Sequence, residues 1–86
     1  MKSFVLDSDT IESLVNPQEI VESIKKGFIE FGRGSVTNPT RLSFALETDW
    51  WGVMPAYHRE AGFCVKTVCV IPGNSRRNLA TTRGVV

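Results

Sequence analysis

The sequence predicts an α+β fold: a short strand and two helices, followed by a largely antiparallel sheet. Three observations lead there. Asn16-Pro17-Gln18-Glu19 opens a run with apolar residues at helical spacing. Arg41 to Glu47 alternates strictly between apolar and polar residues, and Trp50 to Met54 follows after two residues, as in a hairpin. Phe63 to Ile71 is the most apolar strand candidate and carries one lysine, Lys66, at its centre. Helices first and strands after is the order of an α+β domain.

The elements follow in order. Ser3 to Leu6 reads as the short first strand. Asp7, Ser8 and Asp9 offer N-caps for a first helix with Ile11, Leu14 and Val15 on one side. It ends by Asn16, because Pro17 disfavours helical geometry in the residue before it. In the second helix Asn16 caps, Pro17 takes the first position, and Glu19 completes a capping-box spacing. Ile20, Ile24, Phe28 and Phe31 line one face, and Gly32 and Gly34 stop the helix. This helix reads as core-packing structure. Val36 to Thr40 reads as a loop, and Arg41 to Glu47 as a strand with Leu42, Phe44 and Leu46 on one face. Thr48-Asp49 is the expected turn into Trp50 to Met54, with Pro55 ending that strand or marking an edge. Tyr57 to Gly62 is a polar turn, Pro72 to Asn78 a loop, and Thr82 to Val86 a further strand.

Composition narrows the class. With 86 residues the chain is one small domain or a part of one, and 42% hydrophobic with 22% charged residues is a globular composition. A net charge of +1 gives no basic field for nucleic acid or an anionic membrane. The charge is unevenly spread, however. Residues 1–31 hold six acids and three bases, and residues 32–86 hold three acids and seven bases, which suits the later half to a small anion. No apolar run approaches the roughly 18 residues of a membrane span, and the acids of the N-terminal stretch rule out a secretory signal. Cys64 and Cys69, an odd number of residues apart in one strand, point to opposite faces and cannot bridge there. Free thiols fit a reducing, cytoplasmic setting. Without a CxxC or a Cys/His cluster, no metal site is expected.

Lys66 is the residue that asks for a function. Apolar neighbours on both faces of its strand suggest that the strand is covered on both sides. A lysine there must snorkel to an edge, pair with an acid, or point into a site for an anion. Arg41 falls on the polar face of its strand, where exposure is ordinary, although its planar fork also suits a carboxylate. Gly32-Arg33-Gly34 follows a helix and lacks a third glycine at Thr37, so it is no dinucleotide loop. Arg76 and Arg77 read as a solvated basic loop, and His58 as a surface residue. Trp50 and Trp51 place one indole on each face of their strand, one to pack and the other to wall a pocket or a subunit interface.

Pro39-Thr40-Arg41, Val53-Met54-Pro55-Ala56-Tyr57, Lys66, and Ile71-Pro72-Gly73-Asn74 through Thr81 and Gly84 occur in an order that resembles a known family. The chain resembles the N-terminal part of the ornithine cyclodeaminase, archaeal-type alanine dehydrogenase and mu-crystallin family along nearly its whole length. The resemblance implies that residues 1–86 are the N-terminal segment of a substrate-binding and dimerisation domain, truncated before a Rossmann domain for NAD(H) or NADP(H). It implies a homodimer when full length, and a small amino-acid or imino-acid substrate. In the cyclodeaminases a hydride passes from the ornithine α-carbon to NAD⁺, the side-chain amine attacks the imine, ammonia leaves, and the returning hydride gives proline.

Position by position, the resemblance implies that Arg41 grips the substrate carboxylate. Lys66 contacts the same carboxylate and helps polarise the reacting centre as a catalytic residue, Met54 lines the pocket, and Thr81 touches substrate. No cofactor-binding residue is implied within these positions. Ala80 stands where the family commonly has proline, and Arg83 where it has glutamine. Two other expectations stand beside the enzyme: a ligand-binding protein in the manner of mu-crystallin, and an inactive truncated gene product.

Overall fold

Two capped helices begin the chain, and the computed structural model describes all residues, Met1–Val86. Residues Met1–Arg33 and Gly34–Val86 form separate units, each described by itself. In the first, α1 (Ser8–Leu14) starts at Asp7, whose Oδ1 accepts the Thr10 N–H at 2.9 Å. The Thr10 side chain, and then its backbone N–H, hold the Asp7 carboxyl below the usual aspartate range. α2 (Pro17–Gly32) starts at Asn16, whose side-chain oxygen accepts from Gln18 N at 2.9 Å and Glu19 N at 3.4 Å. Arg33 closes α2, and Gly34 beyond it takes the left-handed φ of 77° that glycine tolerates. Both caps sit where the sequence predicts them.

Ser3 to Leu6 forms no strand. An apolar tetrapeptide becomes a strand only where a neighbouring edge supplies ladder partners, and none pairs with it.

The second unit is a five-stranded sheet of β1 (Val36–Thr37), β2 (Leu42–Leu46), β3 (Asp49–His58), β4 (Gly62–Val70) and β5 (Thr82–Val85). Every ladder is antiparallel. β4 pairs β3 along its length and β5 flanks β4. The other side of β3 is shared: β1 pairs with Tyr57 and His58, and β2 pairs with Asp49 to Val53. Met54, Pro55 and Ala56 have no strand partner on that side. Of the two readings of Pro55, the edge holds and the strand end does not. β3 continues through it, because a residue without an N–H is tolerated where one side of the strand is locally an edge.

One turn shifts by a residue from expectation, and the next is shorter than Tyr57 to Gly62. Leu46 pairs with Asp49, so the hairpin turn is Glu47-Thr48, with Glu47 at φ 55°. The next turn is Arg59 to Ala61, closed by His58 opposite Gly62, with Gly62 at φ 95°. Ala61 N–H donates to His58 Nδ1 at 3.3 Å. Residues Pro72–Arg77 form a 3-10 helix within the predicted loop, and Asn78 adopts the left-handed region after it.

No apolar side chain is buried. Phe28 on α2 is 74% exposed and Phe63 on β4 is 70% exposed. The expectations that α2 packs in a core and that both faces of β4 are covered therefore fail within these 86 residues. Periodicity reveals which face wants cover, and it is silent on what supplies it.

Candidate functional site

Side chains of directly paired strand residues project from the same face, and alternate residues share it. Met54 pairs with Lys66, Gly52 with Val68, and Trp50 with Val70. One face of the sheet therefore carries Trp50, Gly52 and Met54 on β3, and Lys66, Val68 and Val70 on β4. Ser43 opposite Gly52 and Ala45 opposite Trp50 add the β2 part of that face. Arg41 lies just before β2, where its register, Leu42 opposite Val53, brings it up to Met54. Arg41 and Met54 line one open cleft of about 430 Å³ together with Asn38, Pro39 and Thr40. That cleft lies at the notch where β3 has no strand partner.

Arg41, Met54 and Lys66 thus form a row across three neighbouring chain segments. Paired strands lie about 4.8 Å apart, which sets the Met54–Lys66 spacing, and Arg41 stands on the other side of Met54 just before β2 pairs. Two long cationic side chains so placed can converge on one carboxylate held over Met54. Neither residue makes an ion pair or a hydrogen bond within the chain. Of the three alternatives for Lys66, pairing with an acid is excluded here, and its ammonium stands free in solvent. No strand position on this face carries an acid.

Thr81 lies elsewhere. Its carbonyl accepts the Ile71 N–H at 2.7 Å, which places it five residues along β4 from Lys66, about 16 Å along the strand. The structure brings Arg41 and Met54 together in one cleft, pairs Lys66 with Met54 outside the lining of that cleft, and sets Thr81 at the far end of the β4–β5 ladder.

Sequence reasoning missed two arrangements. Asn74 is 8% exposed, and its Nδ2 donates to the Ala80 carbonyl at 3.0 Å while its own carbonyl accepts the Leu79 N–H at 3.0 Å. It pins the loop that ends at Thr81. The Pro-Gly-Asn triplet was visible, but the partner six residues on was not. Trp50 lies over Gly52, which is buried beneath it. A larger groove of about 650 Å³ covers the opposite face between Phe44, Trp51 and Arg83. Its lining is almost wholly apolar, so the polar cleft at Arg41 is the better candidate for anion chemistry.

No three metal-ligating side chains come together. A dinucleotide does not fit the residues present. Every ladder is antiparallel, so there is no parallel β-α-β unit, and the Gly32-Arg33-Gly34 segment ends a helix instead of starting one.

No protein-family model matches the chain, and no curated protein matches it by sequence. Solved structures do. Δ1-pyrroline-2-carboxylate reductase from Thermococcus litoralis, in complex with NADH and L-proline, superposes over 85% of this chain with TM-score 0.78 and 26% identity. An archaeal alanine dehydrogenase dimer with bound NAD superposes over 90% with TM-score 0.82 and 23% identity. Both belong to the ornithine cyclodeaminase and mu-crystallin family. The chain resembles the ornithine cyclodeaminase and mu-crystallin family. It spans 24% of the length of each of these two relatives. No helix is long and apolar enough to cross a membrane.

Proposed function

We propose that these residues form the carboxylate-binding part of a nicotinamide-dependent enzyme of the ornithine cyclodeaminase family, acting on a small α-amino or α-imino acid. One observation carries the proposal: Met54 pairs with Lys66 on one side and shares a cleft with Arg41 on the other, with no acid of the chain paired to either cation. Unpaired cations on one face are poised for an anion, and a bidentate arginine fork beside a point-charge lysine suits a carboxylate.

In this proposal Arg41 fixes the orientation of the substrate carboxylate. Lys66, reaching the same group from β4, places positive charge beside the α-carbon and there favours the polarised form of the reacting centre. Met54 forms the apolar floor. Thr81, about 16 Å along β4 from Lys66, takes no part in this clamp. The nicotinamide cofactor supplies the redox chemistry and is held by residues outside this chain. The reaction class is hydride transfer at the α-carbon of an amino acid through an imine, in a cytoplasmic homodimer. The unbridged Cys64 and Cys69 agree with a reducing compartment.

Two measurements test this. The intact mass of the natural protein is expected to lie several-fold above 9.6 kDa. In that protein Lys66→Met and Arg41→Ala are each expected to remove most amino-acid turnover, followed through nicotinamide absorbance. Near-normal turnover in both variants removes the carboxylate clamp.

A further inference from the structure

Trp50 folds its indole back along β3 onto Gly52. A Cβ built at Gly52 would meet the benzo edge of that ring, with Cζ2 at 3.0 Å, Cζ3 at 3.1 Å and Cη2 nearer still. Only glycine leaves room for the ring to lie this low, and Gly52 is correspondingly buried while Trp50 is half-buried. The indole therefore covers the row of the sheet formed by Ser43, Gly52 and Val68. The next row on the same face is Met54 and Lys66, about 7 Å along the strand. An aromatic wall thus stands one row from the lysine ammonium, with its outer surface turned away from the sheet.

We propose that Trp50, seated on Gly52, is a specificity-determining residue. It receives the side chain of an α-amino or α-imino acid whose carboxylate is held at Arg41 and Lys66, and it favours a compact, uncharged side chain or ring. The inference rests on the carboxylate clamp proposed above. A ligand anchored at the Met54–Lys66 row and extending over Gly52 meets the indole within the length of a few carbon atoms. An indole surface rewards apolar contact. It also attracts cations, but here a cationic side chain would lie within about one Debye length of the Arg41 and Lys66 charges. No strand position on this face supplies an acid to offset them. Glu47 is in the turn beyond Ala45 and outside the ladder. The face thus holds positive charge for a carboxylate and an apolar surface for the remainder of the ligand.

The test uses the protein that carries these residues, with Trp51→Phe as background, so that Trp50 is the only indole contributed by this segment; Trp51 faces the opposite side of the sheet. L-Proline and L-ornithine are titrated, and binding is followed by calorimetry alongside tryptophan fluorescence. L-Proline is expected to bind and to change the fluorescence, and L-ornithine to bind at least tenfold more weakly. Trp50→Ala is expected to weaken L-proline about tenfold and to bring the two ligands to within about threefold of each other, while Trp50→Phe keeps the preference. Circular dichroism establishes that each variant is folded, and Gly52→Ala, which displaces the ring, is expected to reproduce the loss of preference. Unchanged preference in folded Trp50→Ala, or ornithine binding as tightly as proline in the background protein, overturns the assignment. Binding that depends on Arg41 and Lys66 but ignores Trp50 leaves the clamp and removes the wall. Binding that depends on Trp50 but ignores both cations removes the clamp instead. Absence of binding by either ligand sinks both.

Discussion

Asn74 donates from Nδ2 to the carbonyl of Ala80 at 3.0 Å, and this bond holds closed the loop between β4 and β5. The same residue donates its backbone N–H to Ile71 and accepts from Leu79. One nearly buried side chain therefore settles the path of the chain up to Thr81. Asn74→Ala leaves the Ala80 carbonyl without its partner, at a cost of about 1–3 kcal/mol. The expected result is faster hydrogen exchange at Ile71 and Leu79, with exchange in β3 unchanged. Uniform exchange across the sheet would show that the loop is held by other means.

Arg41 and Lys66 give a second prediction, from coupling. If both grip one carboxylate, each single substitution, Arg41→Ala or Lys66→Met, should raise the dissociation constant for L-proline roughly 10- to 100-fold, given about 1.5–3 kcal/mol for a charged hydrogen bond. The double variant should fall short of the product of the two effects. Calorimetric titration of all four proteins measures this. Strict multiplicativity would mean that the two cations act on separate groups.

Asp7 gives the pH prediction. Its folded-state value lies below the usual aspartate value because Thr10 hydrogen-bonds the ionised form, through its side chain and its N–H. The capping contribution is therefore fully present above the unfolded aspartate value of about 3.9. It is lost as the pH falls through the lower folded value. Protection of the Thr10 and Ile11 amides, relative to their intrinsic exchange rates, should fall in acid over that window. In Asp7→Ala the protection should be low at every pH and lack that step.

Gly62 offers a conformational test. Its φ is 95°, and nothing lies within 4 Å of a Cβ built there. Gly62→Ala should therefore destabilise through the backbone alone, by about 1 kcal/mol or more. Gly73 has equally open surroundings and no positive φ. Gly73→Ala should be neutral or slightly stabilising. Urea unfolding midpoints separate the two, and equal shifts would refute a backbone origin.

Much of the fold was legible because its signals are local. The Asn16-Pro17 start of α2 and the alternation in β2 depend on residues a few positions apart. The errors fall where a distant partner decides. Ser3 to Leu6 is apolar enough for a strand but pairs with nothing. Val36 and Thr37 look like loop and become a strand because β3 extends to His58 and offers its edge. Pro55 reads as a strand end or an edge and proves to be an edge inside β3, a choice that the gap between β1 and β2 decides only once both are paired. For the site, Lys66 stood out by charge in an apolar run. Arg41 was unremarkable by periodicity and emerged through the motif resemblance. Trp50's posture over Gly52 could not be seen, since an i, i+2 contact depends on the rotamer.

The notch beside Pro55 has a consequence for the life of the cleft. β1 and β2 approach β3 from the same side and stop short of each other by the residues Asn38 to Arg41. Were that segment to straighten and zip over Met54, its four residues would face only the three from Met54 to Ala56 and would need a bulge. A proline on the rail opposite cannot complete such a zipper, because it brings no hydrogen to the ladder. Pro55 thus withholds one hydrogen bond that such closure would need, which disfavours sealing the entrance beside Arg41.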